Sequence, residues 1–149
     1  MTTETDKRTI LQTEVLYLDD FAKIACDTCA NYIELEWLQH PTTEAFRKCF
    51  YRAVELSIEL GTENWLSDAR AIHYIDFANQ NWIIEHILPM LPKTKVKKFA
   101  RITSLESIAL MDTGRIYCSL EEIAQKTRNL ALADFTTRED ALDWLLAKV

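Results

Sequence analysis

One amphipathic helix held between two extended runs constrains this chain more than any other feature. Phe46, Cys49, Phe50, Ala53, Val54, Ser57 and Leu60 recur at spacings of three and four, while Glu44, Arg47, Lys48, Arg52, Glu55 and Glu59 take the opposite side. One face of the helix is therefore apolar and the other wet. Pro41, Thr42 and Thr43 switch the chain into this helix, and Gly61 ends it as a left-handed cap. Before it, residues 32–38 alternate Tyr32, Glu34 and Glu36 against Ile33, Leu35 and Trp37, the period-two pattern of a half-buried strand. After it, a strand over 65–71 follows a short turn. Strand, helix, strand in this order implies two parallel strands and a right-handed crossover.

The flanking segments extend that unit. Val15 and Tyr17 mark a first strand ending at the Asp19-Asp20 turn, and Ala22, Ile24 and Cys26 a second, with turn residues over 27–31, so the opening third reads as an antiparallel meander. Asp76 can cap a helix beginning at Phe77 that buries Ile83, Ile84, Ile87 and Leu88. Pro89 lacks an N–H and clashes with the preceding turn, so this helix kinks or stops there, and Pro92 closes it. A strand follows over 93–103, then two helical pieces over 104–127 broken at Gly114, then a short strand over 130–135. Thr136 and Glu139 form a capping box for a last helix that turns Ala141, Leu142, Leu145 and Val149 inward, with Trp144 at the edge of the stripe. The expectation is a mixed α/β (α+β) fold: a polar tail over 1–10 and a single domain over 11–149, long enough to bury a core without disulfides or metal.

Charge and composition narrow the function. A net charge of −6 disfavours nucleic acid, whose phosphates need a basic face. No run suits a signal peptide or a membrane span, so a cytoplasmic location is expected, and partners are expected to be protein or small molecule. Cys26, Cys29, Cys49 and Cys118 should then stay reduced. The CDTC pair, Cys26 and Cys29, lacks the further ligands a structural zinc needs and lies in strand-rich sequence, so it reads as two small residues flanking a turn. His40, His73 and His86 stand apart, no nucleophile elbow exists, and two glycines cannot make a phosphate loop. No catalytic residue, metal or cofactor is assigned, and an enzyme is not expected.

Ligands in open α/β sheets bind beyond the carboxyl ends of strands. Asp68, Arg70, His73 and Tyr74 fall there, and with Phe77 and Trp82 they are the candidate ligand-binding residues. The aromatics Trp65, Tyr74, Phe77 and Trp82, with Met90, suggest one end of the central unit as a place for a small apolar ligand. Lys95, Lys97 and Lys98, with Lys93 and Arg101, form the chain's basic cluster. It suits an anionic ligand or acidic partner, or simply solvated charge that discourages edge pairing. Twofold self-pairing through the second helix or the edge of the meander is a further expectation.

Three segments together resemble one family. They are Trp65-Leu66-Ser67-Asp68-Ala69-Arg70; Asn81-Trp82 through Pro89 with Lys97, Lys98 and Ala100; and the closing run from Phe135-Thr136-Thr137-Arg138-Glu139 to Trp144-Leu145. They look like the central strand, the second helix with its following strand, and the closing motif of the STAS-like group, which is related to sporulation anti-sigma-factor antagonists and to a class of lipid-binding domains. The resemblance implies a mixed sheet of four or five strands with helices mainly on one face. It also implies a non-enzymatic regulatory or protein-interaction module, or alternatively a carrier or sensor of a small apolar or lipid-like ligand. Antagonists of this group are switched by phosphorylation of a serine at the start of the helix after the central strand. Here that segment reads Tyr74-Ile75-Asp76-Phe77-Ala78-Asn79, without serine or threonine, and Ser67 is expected to be pleated into the sheet.

Overall fold

The computed structural model describes residues 11–104, 122 and 130–147. The expected tail over 1–10, almost all of the two helical pieces over 104–127, Cys118 and Val149 lie outside the described residues. The elements in chain order are β1 (Glu14–Leu18), β2 (Ala22–Asp27), β3 (Tyr32–Trp37), α1 (Thr43–Leu60), β4 (Asn64–Asp68), α2 (Phe77–Trp82), β5 (Lys98–Ile102), β6 (Ala131–Phe135) and α3 (Arg138–Leu145). Six strands form one sheet in the order β1-β2-β3-β4-β5-β6. The strands β1, β2 and β3 pair antiparallel, and β3 to β6 pair parallel. The sheet therefore has six strands, not the four or five implied by the resemblance.

Local chemistry sets the boundaries. Asp19 turns the chain between β1 and β2 by accepting from the Phe21 and Ala22 N–H groups at 2.7 and 2.9 Å and from the Tyr17 hydroxyl at 2.6 Å. Asp27 caps a short 3-10 turn over Thr28–Ala30, and Asn31 leaves it in a left-handed conformation. Thr42 caps α1 by accepting from the Ala45 N–H, and Gly61, with φ of +66°, terminates it. Asp76 caps α2 by accepting from the Asn79 N–H at 2.7 Å. Beyond Trp82 the helix widens into a π turn over Ile83–Ile87 and then tightens to a 3-10 turn over Leu88–Lys93. Pro89 removes a helical donor at that junction.

Three expected boundaries move. The strand expected over 65–71 ends at Asp68, because the Ala69 N–H turns to the Ile102 carbonyl and Ile72 folds back on Ala69. The strand expected over 93–103 is only Lys98–Ile102: Thr94 closes onto Leu91 through both its N–H and its hydroxyl, so the lysines before it lie in a turn and connector. The last helix is capped by Thr137, not Thr136, with Thr137 Oγ1 accepting from the Asp140 N–H at 3.1 Å.

The largest correction concerns layers. On one face of the sheet Ile33, Leu35, Trp37 and Trp65 pack under α1 and the π turn after α2. On the other face Tyr32, Leu66, Ala100 and Ile102 pack under Ala141, Leu142 and Leu145 of α3. Helices thus cover both faces, and β3 is not half-buried: Tyr32 and Glu34, expected on its wet side, are 0% and 3% exposed. Strands covered on both sides normally read as continuous apolar runs. A tyrosine and a glutamate in β3 disguise one, because each finds a polar partner inside.

Candidate functional site

The candidate residues that adjoin one another in sequence separate in space. Asp68 ends β4 on the α3 side, 4% exposed. Its Oδ1 accepts from Arg70 Nε at 2.9 Å and its Oδ2 from Arg70 Nη2 at 2.6 Å, a bidentate pair of the kind that fixes both side chains. Glu36 lies beside Asp68 across the β3–β4 register, and two positions along β3 Glu34 accepts from Arg138 Nη2 at 2.7 Å and from the Tyr32 hydroxyl at 2.8 Å. Asp68 and Arg70 thus belong to a charged layer closed by α3. Burial first, and then the Glu34 charge, push the Tyr32 phenol well above its ordinary range, so this hydroxyl stays a donor.

Tyr74 lies elsewhere, on a cleft of about 170 Å³ at the starts of α1 and α2, lined by His40, Thr42, Thr43, Phe46, Tyr74 and Asn79 among others, and His73 stands outside its lining. The His40 ring stacks on His73 at 5.4 Å and meets Tyr74 at 4.6 Å between centroids. Its Nδ1 accepts from the His73 N–H at 3.1 Å, which places the proton of the neutral ring on Nε2. Asn79 closes the floor, accepting from Arg47 Nε at 3.0 Å. His40 stands apart from the other histidines in the sequence and is not among the candidate residues there. The signal was its place before Pro41, which holds a residue extended and so sets this ring at the mouth of α1.

Burial and the neighbouring His73 hold the His40 imidazole below its usual value. The unfolded chain therefore binds a proton first as pH falls, and stability drops from about pH 7 until the folded ring also titrates, below which no more is lost. Urea midpoints between about pH 8 and pH 5 read this directly. His40→Asn keeps an acceptor near the Nδ1 position but cannot titrate, so its profile is expected to be flatter. Equal slopes in the two proteins would remove His40 from the account.

The other candidates stand apart. Phe77 is 65% exposed at the start of α2, and Tyr74 is 57% exposed. Trp82 sits half-buried on the other side of α2, edge-on to Phe46 and Phe50, with the Arg47 guanidinium 5.7 Å from its ring centroid. The basic residues are divided among local tasks. Lys97 Nζ lies 3.5 Å from Glu63, and Lys98 Nζ donates to the Trp144 carbonyl at 3.0 Å, satisfying the end of α3, while Lys95 runs past Gly61.

No family model, curated protein or solved structure matches this chain.

Among the described residues, no three His, Cys, Asp or Glu side chains gather as a metal site, and no helix is long and apolar enough to cross a membrane. Cys26 is buried in β2 and Cys29 exposed in the turn that Asp27 caps. Burial, followed by the Asp19 charge, pushes the Cys49 thiol up to about 11, so it is a protonated packing group at neutral pH. On the α1 face of the sheet a cavity of about 70 Å³ runs beneath Phe46 and Phe50 past Trp65, Ser67 and Phe99. Trp65 is 1% exposed and its Nε1–H has no hydrogen-bond partner. Ser67 is pleated into the sheet and lines this cavity.

Proposed function

We propose that this chain is a non-catalytic binding module of the STAS-like type that engages a partner protein through the segment after β4. The observation that carries this reading is the exposure of Tyr74 and Phe77, 57% and 65%, on the connection between a parallel strand and the helix that follows it. Large aromatic side chains are costly to leave in water and are enriched at the centres of protein interfaces. Here they stand beside the His40 cleft, at the carboxyl end of the sheet where α/β domains place recognition. Asp76 is occupied as a cap, and the helix start offers no serine or threonine to a kinase, so engagement in this reading does not depend on a serine phosphorylation switch there.

Tyr74→Ser with Phe77→Ser tests it. Both side chains are exposed, so the unfolding free energy is expected to stay within about 0.5 kcal/mol of the parent. Cross-linking in native cells followed by mass spectrometry should show a partner with the parent protein that the double variant loses. An identical cross-linked set at equal yield sinks the proposal.

A second reading, a small apolar ligand held inside, is favoured by the cavity beside Trp65. An engineered cavity of about 150 Å³ accepts benzene, so 70 Å³ suits only a ligand of a few heavy atoms unless α2 moves away. Native mass spectrometry of gently purified protein separates the readings: a stoichiometric adduct supports the carrier, and a bare chain removes it.

A further inference from the structure

The outer face of α1 carries a charge order that its own chain does not use. Glu44, Lys48, Tyr51, Arg52, Glu55, Ile58 and Glu59 form one stripe, exposed throughout except at Glu55, which is intermediate. Past the first turn the order is two bases followed by two acids: Lys48 and Arg52, then Glu55 and Glu59. The positive end of a helix dipole is its N-terminus, so acids are favoured early and bases late. Here the last turn holds Glu59 and no base. Within the chain these charges find little else: Arg52 Nη1 lies 3.6 Å from Glu55 with both side chains more than 40% exposed, and the Lys48 ammonium rests 6.0 Å from the Tyr17 ring centroid. Two apolar side chains share the stripe, Tyr51 at 43% and Ile58 at 37% exposure. They are seven residues apart, two turns along one edge.

This order is unfavourable for the helix alone and complementary to a second helix running the other way. We propose that α1 pairs with α1 of a second copy of this chain about a twofold axis near Glu55. The twofold reverses the helix direction but keeps each edge on its own side. Tyr51 of each copy then faces Ile58 of the other. Arg52 of each falls between Glu55 and Glu59 of the other, and Lys48 approaches Glu59. The acidic last turn of one helix lies along the basic half of its neighbour, which supplies the compensation that α1 lacks. A parallel pair would set bases on bases and acids on acids, so the charge order also selects the orientation. One helix per copy is a small interface, so the dimer is reversible and salt weakens it. It leaves Tyr74 and Phe77 to their own partner and does not depend on that reading.

Sedimentation velocity over a concentration series tests the pairing. The parent is expected to move from monomer to dimer as concentration rises, and less readily in high salt. Lys48→Glu with Arg52→Glu makes the stripe acidic throughout, and Glu55→Lys with Glu59→Lys reverses the other half. Each variant alone is expected to self-associate at least about tenfold more weakly, with the circular dichroism of the parent. Mixed in equal amounts, the two variants should form a one-to-one heterodimer, which a folding defect cannot produce. A parent that stays monomeric at every concentration overturns the proposal, as do variants that dimerise as the parent does and a mixture that remains monomeric.

Discussion

Arg138→Ala is expected to destabilise the fold by about 3 kcal/mol, out of all proportion to a residue whose side chain is 37% exposed. The cost arises at the other end of the bond. Glu34 is 3% exposed beneath α3, where its Oε1 accepts from Arg138 at 2.7 Å and from Tyr32 at 2.8 Å. Without the guanidinium, a carboxylate remains under an apolar layer with one neutral donor, and breaking such a pair from one side costs more than the pair contributes. The melting point should fall by roughly 6 to 12 °C. Adding Glu34→Gln removes the stranded charge and should recover part of the loss at neutral pH. A single variant within about 0.5 kcal/mol of the parent would mean that water reaches Glu34 and the pair acts as a surface one.

The second large effect separates the two halves of one side chain. Trp65 is 1% exposed between Phe50 and Phe99, its ring 5.6 Å from Phe99 and 6.3 Å from Phe50 between centroids. Trp65→Ala should cost about 4 kcal/mol, because the surrounding strands cannot collapse into the space left. Trp65→Phe keeps a ring against Phe99 and deletes a buried N–H that bonds to nothing. Removing an unsatisfied donor relieves a desolvation penalty, which offsets much of the lost area, so about 1 kcal/mol is expected. Denaturant midpoints of the three proteins decide. If Phe proves as costly as Ala, the indole N–H has a partner in solution, and the cavity beside it is where to look.

The fold was legible wherever one physical signal acted alone. Apolar spacing and caps located α1 from Thr42 to Gly61, and alternation located β2 and β3. The reading failed where a second layer entered. Nothing local in Tyr32 or Glu34 distinguishes a wet face from one that a helix more than a hundred residues later will cover, since the bond from Arg138 spans 104 positions. The lysines before β5 alternate well enough for a strand, but the turn closed by Thr94 on Leu91 wins. The site was less legible than the fold. Asp68 and Arg70 are candidates by their place at the end of a strand, a rule blind to which face a side chain takes. The pleat sends Asp68 to the α3 side and its two bonds hold Arg70 beside it, whereas His73 and Tyr74 emerge beyond the turn. His40 escapes any local rule because its role depends on a backbone N–H supplied 33 residues away.

Strand order in this sheet is chain order, and that has a consequence for biosynthesis. None of the six described strands is inserted between two earlier ones, so as the chain leaves the ribosome each new strand meets a neighbour already in place, and its pairing closes only the intervening connection, whose entropy grows slowly with length. Growth of the sheet can thus keep pace with translation. The exception is α3, which emerges after every strand it covers. Among the described residues it is α3 that covers the Tyr32, Leu66 and Ile102 face and the Glu34 carboxylate. Dehydrating that carboxylate is deferred to the step that also delivers Arg138, so the nascent sheet never has to bury the charge without its counterion.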